Sequence, residues 1–171
     1  MKTTVLFTLL TLTFMSLFYS FTMTAPQQQK ERQLKVRLTD NPYPAQEVNV
    51  EIKEVRVNYG NVNEWIVLSE GSKVYNLLDY TNGIETVIGK GIVPGNDVKE
   101  IRFVLGENNT IKVGNKIYPL LIDSEAGDRL RVWIGNRLDG KESVLIDFDA
   151  AESVHKMGPG KYLLKPVLKL K

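Results

Sequence analysis

From residue 34 onward the chain alternates apolar and polar side chains one by one, and this period restricts what it can fold into more than any other feature. Leu34, Val36 and Leu38 are apolar, with Lys35, Arg37 and Thr39 between and after them. A period of two puts every apolar side chain on one face of an extended strand, whereas a helix would scatter them around its axis. The pattern returns at Val48, Val50 and Ile52, set against Asn49, Glu51 and Lys53. Its phase then slips by one, and Val55 and Val57 carry the apolar face onward. Such a slip within one strand predicts a β-bulge near Lys53–Glu54. Near the C-terminus, Tyr162, Leu164, Pro166, Leu168 and Leu170 share one face, with Lys165, Lys169 and Lys171 on the other. This stretch reads as one strand in which Pro166 marks an edge or a bulge. Lysines on an edge strand protect it from pairing with another sheet.

Turn residues divide the rest. Thr39-Asp40-Asn41-Pro42-Tyr43-Pro44 is a dense turn signal, and Pro94-Gly95-Asn96 is another. Strands are expected at Glu64–Leu68, Ser72–Tyr75, Val98–Leu105, Thr110–Val113, Lys116–Ile122, Leu130–Ile134 and Ser143–Phe148. Gly114-Asn115 reads as a two-residue hairpin turn. Trp65, within a short apolar run, is expected in the core, and Tyr80–Gly89 is expected to hold a short helical turn. Many short strands and no long helical period predict an all-β fold. We expect an antiparallel β-sandwich, immunoglobulin-like or transthyretin-like, of about 8–10 strands.

The N-terminus differs in kind. Lys2 precedes an uncharged run from Val5 to Phe21. Residues 1–24 therefore read as a signal peptide, with an uncleaved anchor as the competing reading. Residues 25–33 are polar and read as a linker, leaving 34–171 as a single sandwich domain. This places the domain outside the cytoplasm: periplasmic, at the cell surface or secreted. Membrane contact is then expected only through the N-terminal segment, if it is uncleaved. The 22 basic and 20 acidic residues leave a net charge of +2, which argues against a nucleic-acid partner. With no cysteine, disulfides, thiolate metal sites and cysteine nucleophiles are excluded.

Five stretches, in this order, resemble the domain-of-unknown-function 4382 family of prokaryotic envelope proteins and lipoproteins. They are Leu34–Tyr43, Val48–Val57 with Trp65–Leu68, Tyr75–Gly83, Ile101–Thr110 and Ile146–Val167. The resemblance spans essentially the whole region after the linker and implies a β-sandwich module of the cell surface, without an established activity. Two departures stand out. The chain lacks the cysteine of a lipoprotein signal, and Ile122–Arg129 replaces the family's Gly-rich stretch before the strand at Leu130.

Candidate chemistry is sparse. Asp147 and Asp149 fall on one side of their strand, and the turn at Asp40 brings a third carboxylate if it lies at the same end of the sandwich. Three carboxylates on loops are a candidate calcium site. The competing reading is structural: Asp149-Ala150-Ala151-Glu152 is a capping box, and Asp40 starts a turn. No other cofactor is expected. Trp133 lies with Arg131 and Arg129 on the polar face, opposite Leu130, Val132 and Ile134. An exposed Trp beside Arg suits stacking on a sugar or anchoring a partner, and Tyr43 is a weaker candidate of the same kind. His155 is the sole histidine, with Ser153 and Ser143 near in sequence but no nucleophile elbow around them. The expected role is therefore a non-catalytic structural, adhesive or partner-binding module, contacting a protein or polysaccharide. A carbohydrate- or calcium-binding module is the alternative, and a small hydrolase is less favoured.

Overall fold

The computed structural model describes residues 31–59, 64–69, 71–95, 98–126, 130–138 and 140–171. The apolar N-terminal run and its expected cleavage site lie outside them. Among the described residues no helix is long and apolar enough to cross a membrane.

Among the described residues there are thirteen strands: β1 (Glu31–Thr39), β2 (Glu47–Tyr59), β3 (Glu64–Val67), β4 (Lys73–Asn76), β5 (Thr86–Pro94), β6 (Val98–Leu105), β7 (Thr110–Val113), β8 (Lys116–Ile122), β9 (Arg131–Trp133), β10 (Ser143–Phe148), β11 (Val154–Gly158), β12 (Lys161–Leu164) and β13 (Leu168–Leu170). The helical elements given in full by the described residues are one α turn, α1 (Ala150–Ser153), and 3-10 turns at Leu77–Tyr80 and Gly135–Leu138. One sheet has four strands in the order β13-β10-β1-β5. The other has nine, along the path β11-β12-β8-β7-β2-β6-β9, with β3 and β4 added on β2. The all-β sandwich is therefore as expected, with more and shorter strands. Strand β1 starts at Glu31, so part of the expected linker is strand, paired with Pro94 at the far end of β5.

The core is the sum of the apolar faces that the alternation marked. Leu34, Val36, Leu38, Ile146 and Phe148 come from the small sheet, and Val50, Val55, Val57, Ile101 and Phe103 from the large one; all are essentially inaccessible. Full burial of each such side chain contributes about 1.5–3 kcal/mol.

Strand β2 is the spine of the large sheet. One edge pairs with β7 and then β6, the other with β4 and then β3. Its register slips between Ile52 and Glu54, where the phase of the sequence shifts. The corner joining β6 to β7 docks just before this bulge. Gly106 N–H donates to the Glu51 carbonyl at 2.8 Å, and Glu51 N–H donates to Asn109 Oδ1 at 2.9 Å. The Glu51 carboxylate, on a residue only 7% exposed, accepts from the Ser72 hydroxyl and from both N–H groups of Asn108. The Ser72 bond first, and then the Asn108 bonds, hold this carboxyl below its usual range. A Cβ at Gly106 would stand 2.1 Å from Glu51 Oε2, so a side chain there would push the Glu51 carboxylate off its partners. Gly106→Ala is expected to destabilise by about 1–3 kcal/mol, as overpacking does; a urea titration checks it.

Three expectations are corrected. First, the sandwich is not wholly antiparallel: β1 pairs with β10 in parallel, and so does β12 with β8. Second, Tyr80–Gly89 is not a helical turn. The turn lies earlier, at Leu77–Tyr80, and Thr86 begins β5. Gly89 and Gly91 hid that strand, and both lie close against Leu68. A Cβ at Gly89 would meet Leu68 Cβ at 3.1 Å, and one at Gly91 would meet Leu68 Cδ2 at 2.8 Å. Third, the C-terminal alternation is two strands. β12 belongs to the large sheet, and β13 is an edge of the small one. Pro166 has no N–H for a ladder, and the chain changes sheets around it. Buried Ser153 holds the crossing, its carbonyl accepting from Lys165 N–H at 2.8 Å and its hydroxyl from Val167 N–H at 2.9 Å.

Candidate functional site

Asp40, Asp147 and Asp149 do converge. The parallel pairing of β1 with β10 sets Thr39 opposite Asp147, so the turn after β1 lies at the end of β10. All three are buried, at 4%, 0% and 4% exposure. Four of their six oxygens are held by protein groups, and Asp40 Oδ2 and Asp147 Oδ1 are buried without a hydrogen-bond partner. Asn41 Nδ2 bridges Asp147 Oδ2 at 3.0 Å and Asp149 Oδ2 at 3.2 Å. Lys171 Nζ pairs with Asp147 Oδ2 at 2.9 Å, and Lys169 Nζ with Asp149 Oδ2 at 2.8 Å. Asp149 also caps α1 through the Glu152 N–H, while Asp40 Oδ1 accepts from the N–H groups of Asn41 and Ala150. The capping box is only half made, because the Asp149 N–H goes to the Val167 carbonyl and Glu152 pairs with Lys169. Among the described residues no group of three His, Cys, Asp or Glu side chains is arranged to hold a metal ion.

Charge within the cluster is uneven. Burial pushes the Asp40 carboxyl up to about 6, with Asp147 and Asp149 adding to the rise against its two backbone hydrogen bonds. Burial acts on Asp149 in the same sense, but Lys169, the Glu152 N–H and Asn41 outweigh it and hold that carboxyl below its ordinary range. Asp149 and then Glu152 raise the Lys169 ammonium. The arrangement is a network of buried carboxylates and partly exposed lysines that ties the β1–β2 turn and α1 to β13.

The second candidate lies on the opposite sheet. Trp133 is 62% exposed, whereas Leu130, Val132 and Ile134 are buried, as the alternation implies. Sheet register builds a surface around it. Trp133 stands opposite Glu100, Glu100 opposite Asn58, and Asn58 opposite Trp65. In the neighbouring row, Arg131 stands opposite Arg102, Arg102 opposite Arg56, and Arg56 opposite Val67. The residues between the rows, Val132, Ile101, Val57 and Ile66, face or pack on the core. Strands lie about 4.8 Å apart, so the two tryptophans are separated by roughly 14 Å of backbone.

Local contacts fix this face. Gly135, at φ +55°, sits under the Trp133 indole, and a Cβ there would come within 3.1 Å of Nε1. The Arg102 guanidinium lies over the Trp65 ring at 4.7 Å. Arg56 pairs with Glu54, and Arg102 with Glu100 at 3.4 Å. These pairs are solvent-accessible, so each contributes little to stability and is open to exchange. Trp65 is thus not a core residue, as the sequence suggested, but half-buried on the outer face.

Other sequence candidates fall elsewhere. Tyr43 is half-buried and packs against the core near Tyr162 of β12, far along the sheet from β9, so it does not join Arg131 and Trp133. Burial raises its phenol. Arg129 lies outside the described residues. His155 is exposed on β11, Ser153 is buried in the sheet crossing, and Ser143 is on β10 of the small sheet. Sequence reasoning missed Arg56, Arg102 and the role of Trp65, which only strand register brings beside Trp133.

Fold and surface together define a β-sandwich with one outer sheet face carrying a tryptophan row and an arginine row. A family model described as "Domain of unknown function (DUF4382)" matches residues 32–166, and the chain belongs to that family. None of the curated proteins and none of the solved structures matches it.

Proposed function

We propose that this chain is an exported, non-catalytic module of the cell envelope that holds a partner or polysaccharide on the outer face of β9, β6, β2 and β3. One observation carries the reading: Trp133, 62% exposed, is aligned with Trp65 beside three arginines abreast. Large aromatics dominate contact surfaces because they bury much area with little loss of rotamer freedom, and arginines because the guanidinium offers several donors in a fixed planar fork. The apolar N-terminal run supports export.

The test uses the full chain isolated from the cells that make it, sedimented with washed envelopes of those cells. The native protein should co-sediment, and a Trp133→Ala/Arg131→Ala variant with unchanged melting temperature should stay in the supernatant. Equal retention of both would overturn the reading. Calcium is the second reading, carried by the convergence of Asp40, Asp147 and Asp149. Because Lys171, Lys169 and Asn41 already hold Asp147 Oδ2 and Asp149 Oδ2, chelation with EDTA is expected to leave the melting temperature unchanged. A fall of several degrees would favour calcium instead.

A further inference from the structure

Resting on the reading of this face as the contact surface, we infer that its ligand is an acidic polysaccharide, a chain of sugar rings bearing carboxylates. The two rows divide the recognition between them. In the first, Trp133 and Trp65 flank Glu100 and Asn58. Indole faces stack on the apolar faces of sugar rings, and a carboxylate with an amide between them suits hydroxyl groups, which both donate and accept. In the second, Arg131, Arg102 and Arg56 stand directly opposite one another across three strands. Like charges so placed repel. Glu54 and Glu100 offset the charge of Arg56 and Arg102. A ligand carboxylate meeting a guanidinium in the two-pronged geometry would relieve that row.

Charge also separates this ligand from other polyanions. The whole chain carries only +2, and Glu54 and Glu100 sit among the arginines. A DNA backbone offers no hydroxyls along its length for Glu100 and Asn58 to meet, whereas every ring of a uronate chain carries hydroxyls beside its carboxylate. The roughly 14 Å between the tryptophans suits a ligand of several units, not one free sugar.

The test is titration of Trp fluorescence in the full chain with four polymers: polygalacturonate, its methyl ester, polyglutamate and single-stranded DNA. Polygalacturonate should bind, weakening as salt screens the charges, and the neutral ester should bind at least about tenfold more weakly. Trp133→Ala and Arg131→Gln should each weaken polygalacturonate by about tenfold or more at unchanged melting temperature. Equal affinity for the ester, for polyglutamate or for DNA would overturn the inference, as would a Trp133→Ala variant that binds like the native chain. If polygalacturonate does not bind while envelope retention still depends on Trp133 and Arg131, the ligand class falls and the module reading stands. If retention is also independent of those residues, both fall.

Discussion

Phe103→Ala should lower the free energy of unfolding by about 3–5 kcal/mol, the range for deleting a buried aromatic side chain. Phe103 is 1% exposed, at the middle of β6. Its strand is pinned on both sides, by pairing with Val55 of β2 and by its N–H donating to the Leu130 carbonyl at 2.9 Å. A strand held this way collapses poorly into the space left behind, which puts the effect in the upper part of the range. The consequence reaches the outer face, because the neighbouring Arg102 and Glu100 belong to the tryptophan and arginine rows. Urea unfolding followed by Trp fluorescence measures the loss. A change under about 1 kcal/mol would mean that β6 is not packed as described.

Asp40→Asn should stabilise the protein at neutral pH and leave it unchanged near pH 4. Burial raises the Asp40 carboxyl from its ordinary 3.8 to about 6. Between those values the folded chain keeps a proton that the unfolded chain has released, so stability falls as pH rises through the window. Below 3.8 both states are protonated and the effect is fully in the protein's favour. At about 1.4 kcal/mol per unit, reduced for residual solvent screening, the gain from the substitution at pH 7 is on the order of 2 kcal/mol. Asparagine keeps an oxygen for the N–H groups of Asn41 and Ala150. Asp149 acts in the opposite sense. Its carboxyl is held below the ordinary value, so its contribution is present above that value and is lost on acidification below it. The cluster therefore places its best stability near pH 4, and urea midpoints measured between about pH 3 and pH 7 should trace that maximum.

Much of the fold was legible because alternation reports burial directly. The slip at Lys53–Glu54, the turn at Gly114 between paired Val113 and Lys116, and the outward position of Trp133 all follow from local pattern. What local pattern does not carry is the identity of the partner. Tyr162 and Leu164 face the interior from one sheet, and Leu168 and Leu170 pack on it from the other. The period therefore runs unbroken through Pro166 while the strand changes sheets. Trp65-Ile66-Val67 is apolar throughout, so nothing in it tells which residue faces outward. Arg56 and Arg102 looked like ordinary polar-face residues, since their alignment with Arg131 exists only through pairing across β2, β6 and β9. Glu51, polar by type and 7% exposed, is buried by the corner that docks on it, a contact no period encodes.

The parallel union of β1 with β10 has a consequence in time. Strand β1 can pair with β5 once residues 86–94 have been made, but its other neighbour comes only with residues 143–148, and the same small sheet takes its edge from residues 168–170. Contacts so distant along the chain form slowly and late. A growing polypeptide of this design holds only the β1–β5 pair of its smaller sheet until residue 143 has been made, and completes that sheet with residues 168–170.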